Sequence, residues 1–321
     1  MSRKLIASAA TAAVLAAAAA TALVPAQASA APAPVTRARI AEHFDIDAKQ
    51  TPENIALAPD GTAYVTFAKA GQVARISPSG TVRVLATLPV PADGGVSTPV
   101  LNFPLTVGIV RAHDGTLYFL YATGTADLTG VWRLRPGDGG AERIAALPAR
   151  GLPNGLALDE RTGTLYATDS VLGTVWSVPE TGGTPTAWST APELASTGFL
   201  GANGLKIHGG ALWVGNLDKG TVLRIPVRAD GSAGRVRTVA TGLAGIDDFA
   251  FTGRGDQLLA ALNGTSEVAL VRPGGSHTVV MSPADGLQNP TAVAVRGSTV
   301  YVVSAAYVTG EDPNLVLARL N

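Results

Sequence analysis

Short segments recur in the same order along this chain, in six copies spaced by about 44 to 52 residues, and such self-similarity restricts the fold more than any local signal. Each copy opens with an alternating strand that ends in a tight turn. In Asn54-Ile55-Ala56-Leu57-Ala58-Pro59-Asp60-Gly61 the Asp-Gly pair supplies the positive φ that a hairpin needs. An aromatic-bearing strand follows, as in Thr62-Ala63-Tyr64-Val65-Thr66, Thr164-Leu165-Tyr166-Ala167-Thr168 and Ala211-Leu212-Trp213-Val214-Gly215. Next comes a Gly-led strand with alternating apolar residues, such as Gly173-Thr174-Val175-Trp176-Ser177-Val178. A fourth strand, for example Thr81-Val82-Arg83-Val84-Leu85, completes most copies. Units of four antiparallel strands at this spacing predict an all-β chain folded as a six-bladed β-propeller.

The last copy ends with its third strand, Leu315-Val316-Leu317-Ala318-Arg319-Leu320, and leaves no chain for a fourth. Residues 39–44, before the first copy, resemble the fourth-strand segment Glu142-Arg143-Ile144-Ala145-Ala146-Leu147. An N-terminal strand is therefore expected to close the ring on the last blade and cover the sheet edge that an incomplete blade would expose.

Before the repeats, Arg3 and Lys4 precede an Ala/Leu/Val-rich run that ends in Ala28-Ser29-Ala30, the layout of a secretory signal. The apolar run is long enough to span a bilayer, so an uncleaved anchor is the alternative. Its Ala-dominated character and the Pro-rich stretch that follows favour export with removal. The expected organisation is a signal peptide over 1–30, a Pro/Ala-rich mature N-terminus over 31–36 and one propeller domain over 37–321, secreted and free of the membrane after cleavage. The chain has no cysteine, which excludes thiol catalysis and a Cys-based zinc site. With 24 basic and 24 acidic residues and no basic cluster, it has no electrostatic footprint for nucleic acid. A monomer is expected.

Alignment of the first strands on their apolar pairs exposes one polar column: Glu53, Leu105, Asn154, Asn203, Asp247 and Thr291. First strands line a propeller's axis, so these positions converge on one level of the channel. Two carboxylates and two amide oxygens there form a hard cage suited to Ca2+. Magnesium demands a tighter octahedron and zinc prefers His or Cys, although another divalent ion is compatible. The plainer alternative is a set of polar residues that hydrate a water-filled channel. Against it, two carboxylates in a narrow tube repel unless a cation or a proton compensates them.

Pro52-Glu53-Asn54-Ile55-Ala56-Leu57, Pro153-Asn154-Gly155-Leu156-Ala157-Leu158 with Leu165-Tyr166-Ala167-Thr168-Asp169-Ser170, and Ala202-Asn203-Gly204-Leu205 with Leu212-Trp213-Val214 resemble the calcium-binding segments of the regucalcin (senescence marker protein) and gluconolactonase family. The Glu, Asn, Asn, Asp succession is also similar to that of diisopropyl fluorophosphatase and the paraoxonases. The resemblance implies a channel calcium held by Glu53, Asn154, Asn203 and Asp247, with Asp247 as the catalytic base or nucleophile. It further implies a small lactone or ester as substrate. Two departures stand out: Leu105 occupies the ring where gluconolactonases have a polar segment, and Asn203 stands where regucalcins have aspartate.

Other side chains are candidates for substrate contact or support. Asp248 follows Asp247 and, by strand alternation, points to the opposite face, where it either orients ligand amides or is solvated or capping. Second-strand ends place Tyr121, Asp169, Asn216 and Asn263 near the channel opening; an aspartate such as Asp169 at a strand end is also a common turn residue. None of His43, His113, His208 and His277 maps to the ring, so the acid/base group is expected to be a carboxylate. The recurring aromatics Tyr64, Tyr118, Tyr166, Trp213 and Tyr301 are expected to pack blade against blade. The leading expectation is a secreted calcium-dependent lactone or ester hydrolase. The competing one is a non-catalytic propeller scaffold with a structural calcium in its channel, and the fold alone does not choose between them.

Overall fold

A computed structural model of the chain describes residues 34–321, and the expected signal segment 1–30 lies outside them. Six four-stranded antiparallel sheets follow one another, five of them with strands in simple sequence order. The exception is the last sheet, in which the N-terminal strand Val35–His43 pairs antiparallel with the final strand Asn314–Leu320. The molecule is a six-bladed β-propeller closed by its N-terminal strand.

The closing strand begins earlier than the sequence pattern indicates. Bulges between Thr36 and Arg39 and between Ile40 and Glu42, with Arg37 at φ 56°, break the apolar alternation that would reveal its first half. Val35 is nonetheless buried in the same apolar cluster as Leu259, Val293 and Val316. The ordered propeller therefore includes residues assigned from sequence to the Pro/Ala-rich stretch.

Blades meet through the expected aromatics. Tyr118, Tyr166, Trp213 and Tyr301 are buried and Tyr64 is half-buried, all on second strands. Trp213 meets Phe251 of the next blade edge to face at 5.1 Å, a geometry that adds about 0.5–1.5 kcal/mol beyond burial. Among the described residues no helix is long and apolar enough to cross a membrane.

Candidate functional site

Every innermost strand is irregular at the same level. Its pairing with the second strand shifts register between Pro52 and Asn54, Thr106 and Ile109, Pro153 and Leu156, Ala202 and Leu205, Ile246 and Phe249, and Pro290 and Ala292. A bulge leaves a residue unpaired and re-aims its side chain. Glu53, Asn154, Asn203 and Asp247 sit in these bulges and line one cavity of about 320 Å³. Glycine follows two of them because the inner strands pass too close for a side chain: a Cβ on Gly155 would overlap the Asn203 carbonyl, and one on Gly204 the Asp248 side chain.

The registers correct the blade-two alignment. Thr106 pairs with Tyr121 as Pro153 pairs with Asp169, so the counterpart of Asn154 is Val107 rather than Leu105. Arg111 stands where the other first strands have the second residue of their apolar pair, so the apolar pattern fits Val107/Ile109 instead of Ile109/Arg111, hence the two-residue offset. Both Leu105 and Val107 line the cavity, and at this position blade two still contributes no side-chain oxygen. Thr291 is turned out of the ring. Its hydroxyl donates to the Pro52 carbonyl at 2.9 Å, with the Val303 carbonyl at 3.3 Å, and stitches the last blade to the first.

The two ring carboxylates are nearly dry, with Glu53 and Asp247 each 7% exposed. Glu53 accepts a hydrogen bond from the Tyr307 hydroxyl at 2.5 Å, and Asp247 accepts one from Asn263 Nδ2 at 3.2 Å. Burial pushes Glu53 up to about 7; the Asp248 charge adds to the rise and the Tyr307 hydrogen bond opposes it. Burial, then the charges of Glu53 and Asp248, hold Asp247 well above its ordinary value of 3.8, against the hydrogen bonds from Asn203 and Asn263. The Tyr307 hydroxyl is raised as well, by burial and by the Glu53 charge.

One further atom bears on what the ring accommodates. Asn203 Oδ1 is buried and has no hydrogen-bond partner. An orphaned amide oxygen beside two desolvated carboxylates matches the donor set of a hard divalent cation, all oxygen and free of sulfur and imidazole. Among the described residues no group of three or more His, Cys, Asp or Glu converges, so such an ion would depend on the amide oxygens.

The remaining candidates divide into a plug beneath the ring and a set of loop anchors. Asp248 is 2% exposed and accepts from Asn54 Nδ2 at 3.0 Å and from Lys206 Nζ at 2.6 Å. It therefore supports the neighbour of Glu53 from below and does not hold the ring amides. Asp169 accepts from the backbone N–H groups of Leu152, Val171 and Leu172 and takes no part in the cavity lining, which is the turn role. Asn216 donates to the Glu193 and Ala195 carbonyls, and Tyr121 donates to the Pro89 carbonyl; neither reaches the cavity. All three occupy the same strand-end position and tie down the connection arriving from the preceding blade. None of the four histidines lines the cavity.

Sequence reasoning missed Tyr307, Lys69, Phe103 and Phe199, all of which line the cavity. They lie on connections outside the repeated strands, where no periodicity marks them. The loop that supplies Leu101 and Phe103 is strained, with Val100 at φ 66° and Asn102 at φ 59°. At the other end of the innermost strands a depression of about 510 Å³ is lined by Ile55, Leu57, Ile109, Leu156, Leu158 and Lys206 among others. Lys206 there is already paired with Asp248, and no orphaned acceptor faces it.

No family model matches the chain, and no curated protein matches it in sequence. Solved structures do match it in shape. A calcium-binding protein, regucalcin, from Agrobacterium tumefaciens aligns with a TM-score of 0.64 at 15% identity, over 88% of this chain and 93% of that one. A gluconolactonase from Xanthomonas campestris aligns with a TM-score of 0.61 at 16% identity, over 92% and 99%. The chain shares their fold. Virginiamycin B lyase from Staphylococcus aureus is also similar, with a TM-score of 0.58 at 17% identity over 85% and 81%. Neighbours with different chemistries leave function to be argued from the site.

Proposed function

We propose that this protein is a calcium-dependent hydrolase of a small lactone or ester, secreted after removal of its N-terminal segment. The observation that carries the reading is the pair of desolvated carboxylates, Glu53 and Asp247, beside the orphaned Asn203 Oδ1 on the floor of an apolar cavity. Glu53, Asn154, Asn203 and Asp247 would hold the ion. Bound there, calcium supplies Lewis-acid polarisation of a carbonyl oxygen and of water.

The chain's own groups complete the arrangement. Asp247, oriented by Asn263, takes the proton from the attacking water. Tyr307 fixes the Glu53 carboxylate through its hydroxyl. Leu101, Phe103, Leu105 and Phe199 form an apolar wall that receives the acyl body. The scaffold alternative draws on one feature, the absence of a polar contribution from blade two at either Leu105 or Val107.

The test is hydrolysis of a panel of lactones and aryl esters at saturating calcium, with metal occupancy measured on the same samples. The parent should turn over at least one substrate, and Asp247→Asn should be inactive even in its metal-loaded fraction. A calcium-loaded parent that hydrolyses nothing across the panel leaves the scaffold reading in its place.

A further inference from the structure

Lys69 stands just beyond the second strand of blade one, Ala63–Phe67, with its backbone N–H donating to Thr51 Oγ1 at 3.3 Å. Its side chain lines the cavity, and its Nζ lies 5.2 Å from the centroid of the Phe103 ring and 5.2 Å from that of Tyr307. Two aromatic faces attract the ammonium and confine its flexible stem near the cavity. Among the described residues no carboxylate pairs with it.

The other charged groups of the cavity are already engaged, and the orphaned Asn203 Oδ1 belongs to the ring. Glu53, Asp247 and Lys69 are the charged side chains of the lining, and the two carboxylates already accept hydrogen bonds from Tyr307 and Asn263. The polar lining consists of the ring, those two donors and Lys69; the rest is apolar, from Leu101 and Phe103 to Phe199 and Val308. Such walls offer no array of donors and acceptors to a polyhydroxylated ring. A free cation held above apolar walls instead suits a ligand with an apolar body and one negative group.

We propose that Lys69 is a specificity-determining residue that selects ligands carrying a carboxylate on an apolar chain. The choice of ester or lactone rests on the hydrolase reading; the preference for the anion does not, so binding and turnover are measured separately. Binding is followed by calorimetry of the calcium-loaded protein with hexanoate and with hexanamide. Turnover is followed with 4-nitrophenyl hexanoate and the 4-nitrophenyl monoester of adipic acid.

Hexanoate should bind more tightly than hexanamide, and Lys69→Met should reduce that preference about 10-fold, the scale of one charge-assisted hydrogen bond. Lys69→Arg should retain it, and added salt should weaken it. For the esters, Lys69→Met should lower the anionic-to-neutral ratio of kcat/KM by a similar factor, mainly through KM. A preference for hexanoate that survives Lys69→Met places the anion elsewhere and overturns the proposal, as does binding of neither ligand. If the preference follows Lys69 but neither ester is turned over, the hydrolase reading fails and the Lys69 assignment stands.

Discussion

Glu53→Gln in the metal-free protein probes the electrostatic cost of the ring. The folded carboxyl sits at about 7 against an ordinary 4.5. A carboxyl raised on folding adds stability that is complete below 4.5 and is lost as pH climbs through its folded value. At roughly 1.4 kcal/mol per pH unit, that gap is worth about 3 kcal/mol. For a domain of this size each kcal/mol moves Tm by about 2–4 °C, so the loss between pH 4.5 and 8 corresponds to roughly 6–12 °C. Acids such as Asp60, Asp93 and Asp114 are lowered by local hydrogen bonds, so their contributions are complete before this window opens. The assay is Tm in chelator from pH 5 to 8 for parent and variant. The difference, variant minus parent, should grow with pH and shrink when calcium is added. A parent-minus-variant difference that is flat across the window would refute the argument.

Other consequences concern the frame that carries the ring. Gly155→Ala forces a Cβ onto the Asn203 carbonyl, so it should cost at least about 2 kcal/mol in urea unfolding and distort calcium binding as well. Thr291→Val loses the bonds to the Pro52 and Val303 carbonyls, about 1 kcal/mol, and should leave the calcium Kd unchanged by titration. A chain begun at Pro52 lacks the strand that covers Asn314–Leu320, and light scattering should show its aggregation; unfolding at the same temperature as the mature protein would contradict the closure.

The repeat makes the propeller legible because its turn and strand signals are local: Asp60-Gly61 and Asp114-Gly115 mark hairpins wherever they stand. The ring is legible in four blades because Glu53, Asn154, Asn203 and Asp247 are polar at the head of apolar strands. Bulges are not local in this sense. They depend on what the neighbouring strand presents, and so the first half of the closing strand is obscured. In blade two the polar Arg111 at an apolar-pair position shifts the apparent register from Val107 to Leu105. Asp169, Asn216 and Tyr121 lie near the mouth in sequence register but turn towards loop backbone, where unpaired N–H and C=O groups claim them. Tyr307 and Lys69 carry no pattern at all, since each lies on the loop joining the second and third strands of its blade, outside the apolar alternation of the strands.

Calorimetric titration of calcium into metal-free parent and Glu53→Gln tests the central claim most directly, because ion binding to the folded state alone must also raise stability by mass action. The account predicts one calcium per parent chain, a higher Tm in calcium than in chelator, and binding strongly weakened in Glu53→Gln. No heat of binding and an unchanged Tm at millimolar calcium would contradict it.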